Sequence, residues 1–332
     1  MVAPLPHLLH QSVPQLPYLT VGSTVSSHVI RDTTSDNVRS RRADTADPLA
    51  RWPSVYCHRC RFGRRRHRYI GNPAEHLRRS SLTTRPGNGR ASSILLAEVG
   101  AHVACIDVNE ADARRTVEMI QAEGKGKALA LVADITDQDA CRRAVQTVLD
   151  AWGRVDVLVN IVGTIGAAGT AVDVDMAAWA AGMQLNVASM VHMAKHCIPA
   201  MERNTDNGLW RGAIVNLASV AGLRGGTPSL LYPTSKGAVV NMTRAMAAQH
   251  APQGIRVNCV CPGMLFTPMM YGKGMTEEKR AARRDRSLLK TEGNGWDCAA
   301  AVRFLASDEA RWMTGVILPV DAGTTASTSF SM

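Results

Sequence analysis

Nowhere in its 332 residues does the chain contain an apolar run approaching the ~18 residues of a membrane-spanning helix. It also lacks the basic start of a secretory signal: the first arginine is Arg31, and Pro4, Pro6, Pro14 and Pro17 interrupt the opening. A disulfide pattern is missing too. Of eight cysteines, Cys105, Cys259 and Cys261 fall in strand-like apolar segments, and Cys141 and Cys197 in helix-like ones. That scatter suits reduced, packed thiols of a cytoplasmic protein. Lysine is absent from residues 1–86, which hold 14 Arg against 5 Asp or Glu, so +9 of the chain's +10 lies there. Residues 87–332 carry only +1, which argues against a nucleic-acid surface on that part.

What residues 1–86 do contain is Arg, Pro, Ser and Thr without sustained periodicity, including the run from Arg59 to Arg68. They read as a disordered extension. A targeting peptide, a nucleic-acid arm and a metal site are the functional alternatives. Cys57-His-Arg-Cys60 supplies half a zinc site, and no second pair follows at finger spacing.

From Arg90 onward, helix-like and strand-like segments alternate. Helices are expected over Ala91–Glu98, Ala111–Glu123, Asp137–Trp152, about 176–203 and from Tyr232. Strands are expected over His102–Asp107, Leu129–Asp134, Val155–Asn160, Ala213 to near Ser219, Val257–Cys261 and Val316–Val320. Alternating units with apolar strands imply one α/β domain: a doubly wound parallel sheet with helices on both faces.

Chemistry concentrates in Ser219, Tyr232 and Lys236. Ser219 ends the apolar strand, where open α/β sheets bind ligands. Tyr232 and Lys236 are four apart, on one helix face. An ammonium beside a phenol favours phenolate, so Lys236 is expected to lower the Tyr232 pKa from about 10. That would make Tyr232 a proton-transfer group near neutral pH.

This spacing resembles the short-chain dehydrogenase/reductase family, and the resemblance runs from about Gly87 to Thr325. Asp107, Asp134, Asn160 with Gly163, Asn186, Pro262-Gly263 and Thr267-Pro268 follow in the family's order. The resemblance implies a nicotinamide-dependent oxidoreductase interconverting a secondary alcohol and a ketone on a small-molecule substrate. Ser219, Tyr232, Lys236 and Asn186 would be catalytic, Asn186 by positioning a water. Lys236 would also hold the nicotinamide ribose, Asp134 would contact adenine, Asn160 the adjacent ribose, and Leu265 and Thr267 the carboxamide. A homodimer or homotetramer would be expected, with no metal. Asp107 stands 20 residues after Gly87. At that distance a carboxylate can bond ribose hydroxyls and repel a 2′-phosphate, favouring NAD over NADP; a helix cap is the alternative.

The sequence departs from the family at the glycine turn. Gly87 and Gly89 match its last two glycines, but Leu82-Thr83 stands where Thr-Gly belongs. The first strand would fall on Glu75-His-Leu-Arg-Arg-Ser-Ser81, too charged to bury. Tyr18-Leu-Thr-Val-Gly-Ser-Thr-Val25 could substitute, but some sixty residues would have to loop back to Gly87. The expectation is therefore a sheet without its central strand, and the rival function is a catalytically impaired scaffold protein that binds cofactor poorly.

The segment from Met264 to Asn294 reads as a substrate lid. Its apolar start suggests a hydrophobic substrate. Arg280, Arg283, Arg284 and Arg286 form either a solvated helix face or a site for an anionic group. His192 and His196, four apart, read as packing or surface residues rather than a metal pair. Residues 326–332 read as a tail.

Overall fold

The computed structural model describes residues 20–21, 86–123, 126–205, 210–272 and 274–327. The arginine run, Cys57–Cys60, Glu75–Ser81, Leu82-Thr83 and the end of the tail lie outside them. Seven parallel strands form one sheet in the order β3-β2-β1-β4-β5-β6-β7. They are β1 (Thr20–Val21), β2 (Val103–Asp107), β3 (Ala128–Val132), β4 (Val157–Asn160), β5 (Gly212–Leu217), β6 (Ile255–Pro262) and β7 (Ile317–Val320). The order reverses between β1 and β4, the switch point at which such sheets bind dinucleotides.

The central position is filled, contrary to the sequence expectation. Thr20 and Val21 pair with Cys105 and Ile106 on one side, and Val21 pairs with Asn160 on the other. Two residues of the substitute segment, Thr20 and Val21, supply the strand. Thr and Val are uncharged and β-branched, which suits a strand between two others better than the charged Arg78 and Arg79 would.

The helices that matter to the site are α1 (Asn88–Glu98), α2 (Glu110–Ala122), α3 (Gln138–Trp152), α4 (Met176–Met183), α5 (Ser189–Glu202) and α6 (Leu231–His250). After them come α7 (Pro268–Tyr271), α8 (Glu277–Arg284) and α9 (Gly295–Ala306). In α3, Ala140, Cys141, Ala144, Val145 and Val148 are buried at helical spacing. Asp137 caps its start through Asp139 N at 2.8 Å, and Gly153 ends it at φ +78°. The core runs along both sheet faces, where Leu96, Ile106, Leu158, Met193 and Ile214 are fully buried. Each such side chain contributes about 1.5–3 kcal/mol relative to exposure.

Two local differences from the sequence reading bear on function. The expected helix over 176–203 contains a π-helical turn, Gln184–Ala188, between α4 and α5, and Asn186 sits within it. Strand β3 stops at Val132, so Asp134 lies beyond it in an exposed turn, accepting from Thr136 N at 2.8 Å and Thr136 Oγ1 at 2.7 Å.

Candidate active site

Ser219, Tyr232 and Lys236 meet in one cleft at the carboxyl ends of β4, β5 and β6. Its walls include Gly163, Pro262, Gly263, Leu265, Thr267 and Asn88. Ser219 follows β5 in extended backbone and accepts from Ala221 N at 3.1 Å, starting a short turn over Val220–Gly222. That turn packs directly on α6. A Cβ built on Gly222 would lie 2.5 Å from the Lys236 carbonyl, so only glycine admits this approach. The contact sets the serine hydroxyl against Tyr232, where their hydrogen bond favours phenolate.

Burial opposes that effect and outweighs it. The Tyr232 phenol is pushed above its ordinary value, chiefly by desolvation. Lys236 does not offset this as the four-residue spacing suggested. Its ammonium donates to Leu217 O at 2.9 Å, toward the end of β5. A buried ammonium needs an acceptor, and the strand-end carbonyl supplies one. Burial also lowers the lysine to about 8, which leaves it mostly charged at neutral pH. The ammonium also sits 3.0 Å from where a Cβ on Gly163 would be, which gives that glycine a place in the site. Beneath them, Cys259 and Cys261 of β6 are buried with their sulfurs 3.9 Å apart.

Asn186 is fully buried. Its Nδ2 donates to Thr164 O and to Ser235 Oγ, both at 2.9 Å, and its Oδ1 accepts from Thr164 N at 2.8 Å. Ser235 Oγ in turn donates to Tyr232 O at 2.9 Å. The π-turn thus ties the loop after β4 to the first turn of α6. Ser235 and Thr164 were missed in the sequence, where nothing distinguishes them from ordinary loop and helix residues.

On the other side of the switch point, three buried oxygens meet no partner among the described residues: Asp107 Oδ2, Asn160 Oδ1 and Asn88 Oδ1. Asp107 ends β2, and its other oxygen accepts from Asn109 N at 2.9 Å. Burial raises its carboxyl to about 8. Asn160 donates to Asn216 Oδ1 at 2.9 Å, and Asn216 donates to Thr243 Oγ1 at 3.1 Å. Gly87 is the N-cap of α1, and Gly89 lies in its first turn. Gly295 holds that turn in place, since a Cβ there would lie 2.4 Å from Pro86 O. Orphaned acceptors beside a helix N-terminus fit the hydroxyl donors and phosphates of a dinucleotide. The residues present therefore fit a nicotinamide cofactor.

The lid separates the arginines. Arg280 pairs with Glu277 and Glu292 and lies 4.1 Å over the Phe266 ring, and Arg284 pairs with Glu277. Arg283 turns into the cleft wall and donates to Leu265 O at 3.1 Å. Among the described residues, no group of three or more His, Cys, Asp or Glu could hold a metal, and no helix is long and apolar enough to cross a membrane. His192 Nδ1 lies 3.3 Å from Ile135 O.

With this geometry in view, comparison with known proteins identifies the lineage. A family model described as enoyl-(acyl carrier protein) reductase matches residues 84–325. Meso-2,3-butanediol dehydrogenase of Serratia marcescens is 34% identical over 242 residues, 73% of this chain and 91% of that protein. The chain belongs to the short-chain dehydrogenase/reductase family. 2-(S)-hydroxypropyl-CoM dehydrogenase 3 of Xanthobacter autotrophicus is 37% identical, covering 72% of this chain and 93% of its own. A 7α-hydroxysteroid dehydrogenase structure with NADH and 7-oxo glycochenodeoxycholic acid aligns at TM-score 0.66. It is 32% identical and covers 71% of this chain and 89% of that one. This family member is an oxidoreductase acting on CH–OH groups of small molecules with a nicotinamide cofactor.

Proposed function

We propose that the enzyme interconverts a secondary alcohol and a ketone using NAD, with Tyr232 as the proton-transfer group. The observation that carries this reading is the meeting of Ser219, Tyr232 and Lys236 in one cleft with Gly263, Leu265 and Thr267. Bound nicotinamide supplies the hydride acceptor or donor. Tyr232 Oη takes the hydroxyl proton in oxidation and returns it in reduction. Ser219 Oγ donates to the carbonyl oxygen where negative charge develops. Lys236 keeps a positive charge beside the cofactor's ribose position. Asn186 belongs to the proton path as a brace: both of its N–H donors are taken by Thr164 and Ser235, which holds the first turn of α6 in place.

NAD preference rests on Asp107, whose buried Oδ2, unpartnered among the described residues, suits a ribose hydroxyl better than a 2′-phosphate. Asn160 and Asp134 complete the adenosine side, and Leu265 and Thr267 hold the carboxamide. We place the protein in the cytoplasm as a homodimer or homotetramer. The impaired-scaffold alternative rests on an unfilled sheet centre and on the lost Thr-Gly pair; Thr20–Val21 in the sheet speaks against the first of these, and the intact Ser219, Tyr232, Lys236 and Asn186 favour the enzyme.

Titration of NAD and NADP against the wild type and Asp107→Ala tests the cofactor reading. Tighter NAD binding in the wild type is expected, with a weaker and less selective response in the variant. Tighter NADP binding in the wild type would refute the role of Asp107.

A further inference from the structure

The lid places several positive charges along one side of the active site. Arg283 lines the cleft that holds Ser219 and Tyr232, and its Nε is buried without a partner among the described residues. A second cavity, about 500 Å³, is lined by Arg224, Arg286 and Lys290, with Asp285 as its one carboxylate. Two of these cations are held by neutral carbonyls, with no ion pair to an acid among the described residues: Arg224 donates to Thr324 O at 2.7 Å and Lys290 to Asp285 O at 2.6 Å. Their charge is therefore oriented but not neutralised.

The two spaces have no lining residue in common, but neighbouring stretches of chain line both. Arg283 and Arg286 are three residues apart in the turn that ends α8; burial lowers the Arg283 pKa, Glu292 partly offsets this, and Arg286 adds to the lowering. Ser219 and Arg224 bracket one short loop. Gly263, in the wall of the cleft, packs on Asp321, two residues before Gly323 in the wall of the outer cavity. The cleft itself encloses only about 110 Å³. Ligand pockets commonly run to roughly 300–1,000 Å³, so the outer cavity supplies the volume that the cleft lacks.

We propose that this strip, Arg283 in the cleft and Arg224, Arg286 and Lys290 beyond it, receives an oxyanion carried by the substrate: a carboxylate, sulfonate or phosphate. The enzyme's substrates are then alcohols or ketones with an acidic tail, an inference that rests on the dehydrogenase reading above. The cofactor diphosphate is the other source of such an anion. Its acceptors and glycines lie on α1, β2 and β4, whereas the basic strip leads away along the lid toward Gly323 and Thr324. That direction favours the substrate.

The test uses the full-length protein with NAD and a panel of short- and medium-chain hydroxy and keto acids, each paired with its neutral methyl ester. Thermal shift reads binding without requiring turnover. The wild type should be stabilised more by acids than by their esters. In Arg283→Gln, and in the double variant Arg224→Gln/Arg286→Gln, that preference should fall about tenfold or more in apparent affinity, the order expected for one charge-assisted hydrogen bond. Arg283→Lys should recover part of it. Esters binding as well as acids to the wild type would overturn the proposal. So would an equal loss of NAD affinity in Arg283→Gln, titrated without substrate, because it would assign the anion to the cofactor. Acid-selective binding without turnover of any pair would leave the anion site standing and count against the dehydrogenase reading instead.

Discussion

Two side chains at the residue scale hold their protons more tightly because of burial. Folding raises the Asp107 carboxyl from its ordinary value near ~4 to about 8. A carboxyl raised in this way contributes stability below its unfolded pKa and loses it as pH climbs through the folded value. Cofactor-free Asp107→Asn should therefore melt above the wild type at pH 9, with the gap closing toward pH 4. A gap that stays constant over that range would show that Asp107 does not titrate as described. Tyr232, also raised by burial, keeps its proton at neutral pH. Reduction should thus be favoured near neutrality, and oxidation should accelerate as pH rises, read from initial rates in both directions. An oxidation rate already flat from pH 6 upward would contradict this. Spacing made Ser219, Tyr232 and Lys236 legible, because four residues on a helix fix a shared face. It could not give the direction of the Lys236 ammonium, which a strand-end carbonyl 2.9 Å away decides.

Element-scale positioning depends on close backbone approaches that glycines permit. At Gly163 an added methyl would meet the flexible end of Lys236 at 3.0 Å, which can yield. Gly163→Ala should melt close to the wild type yet lose at least about tenfold in kcat, since misplacement by ~1 Å can cost ~10²-fold. At Gly295 the obstacle is rigid backbone, Pro86 O at 2.4 Å. Gly295→Ala should cost about 1–3 kcal/mol by denaturant unfolding and weaken dinucleotide binding. Unchanged stability and affinity would show that α9 does not hold the Gly87 turn. The helix and strand pattern from Arg90 was readable from apolar periodicity, with boundaries displaced by a few residues. The π-turn at Asn186 was not, because its cause is tertiary: hydrogen bonds to Thr164 and Ser235, 22 and 49 residues away.

For the whole molecule, the sheet depends on a strand from the far N-terminus. Proximity to Gly87 points to Glu75–Ser81 for that position, whereas composition points to the uncharged stretch around Thr20–Val21. Loop closure grows only slowly with length, whereas burying two unpaired arginines costs several kcal/mol each. Deleting residues 1–25 should therefore lower the melting temperature and the soluble yield, by exposing the facing edges of β2 and β4. Equal yield and melting temperature would mean that Thr20–Val21 is dispensable. The account as a whole turns on one proton at one oxygen. Its most direct test is turnover by Tyr232→Phe on an alcohol that the wild type oxidises, with folding and NAD affinity measured in parallel. A loss of about 10²–10⁴-fold in kcat with both retained is the expected result, and a variant keeping more than about a tenth of the wild-type rate would contradict it.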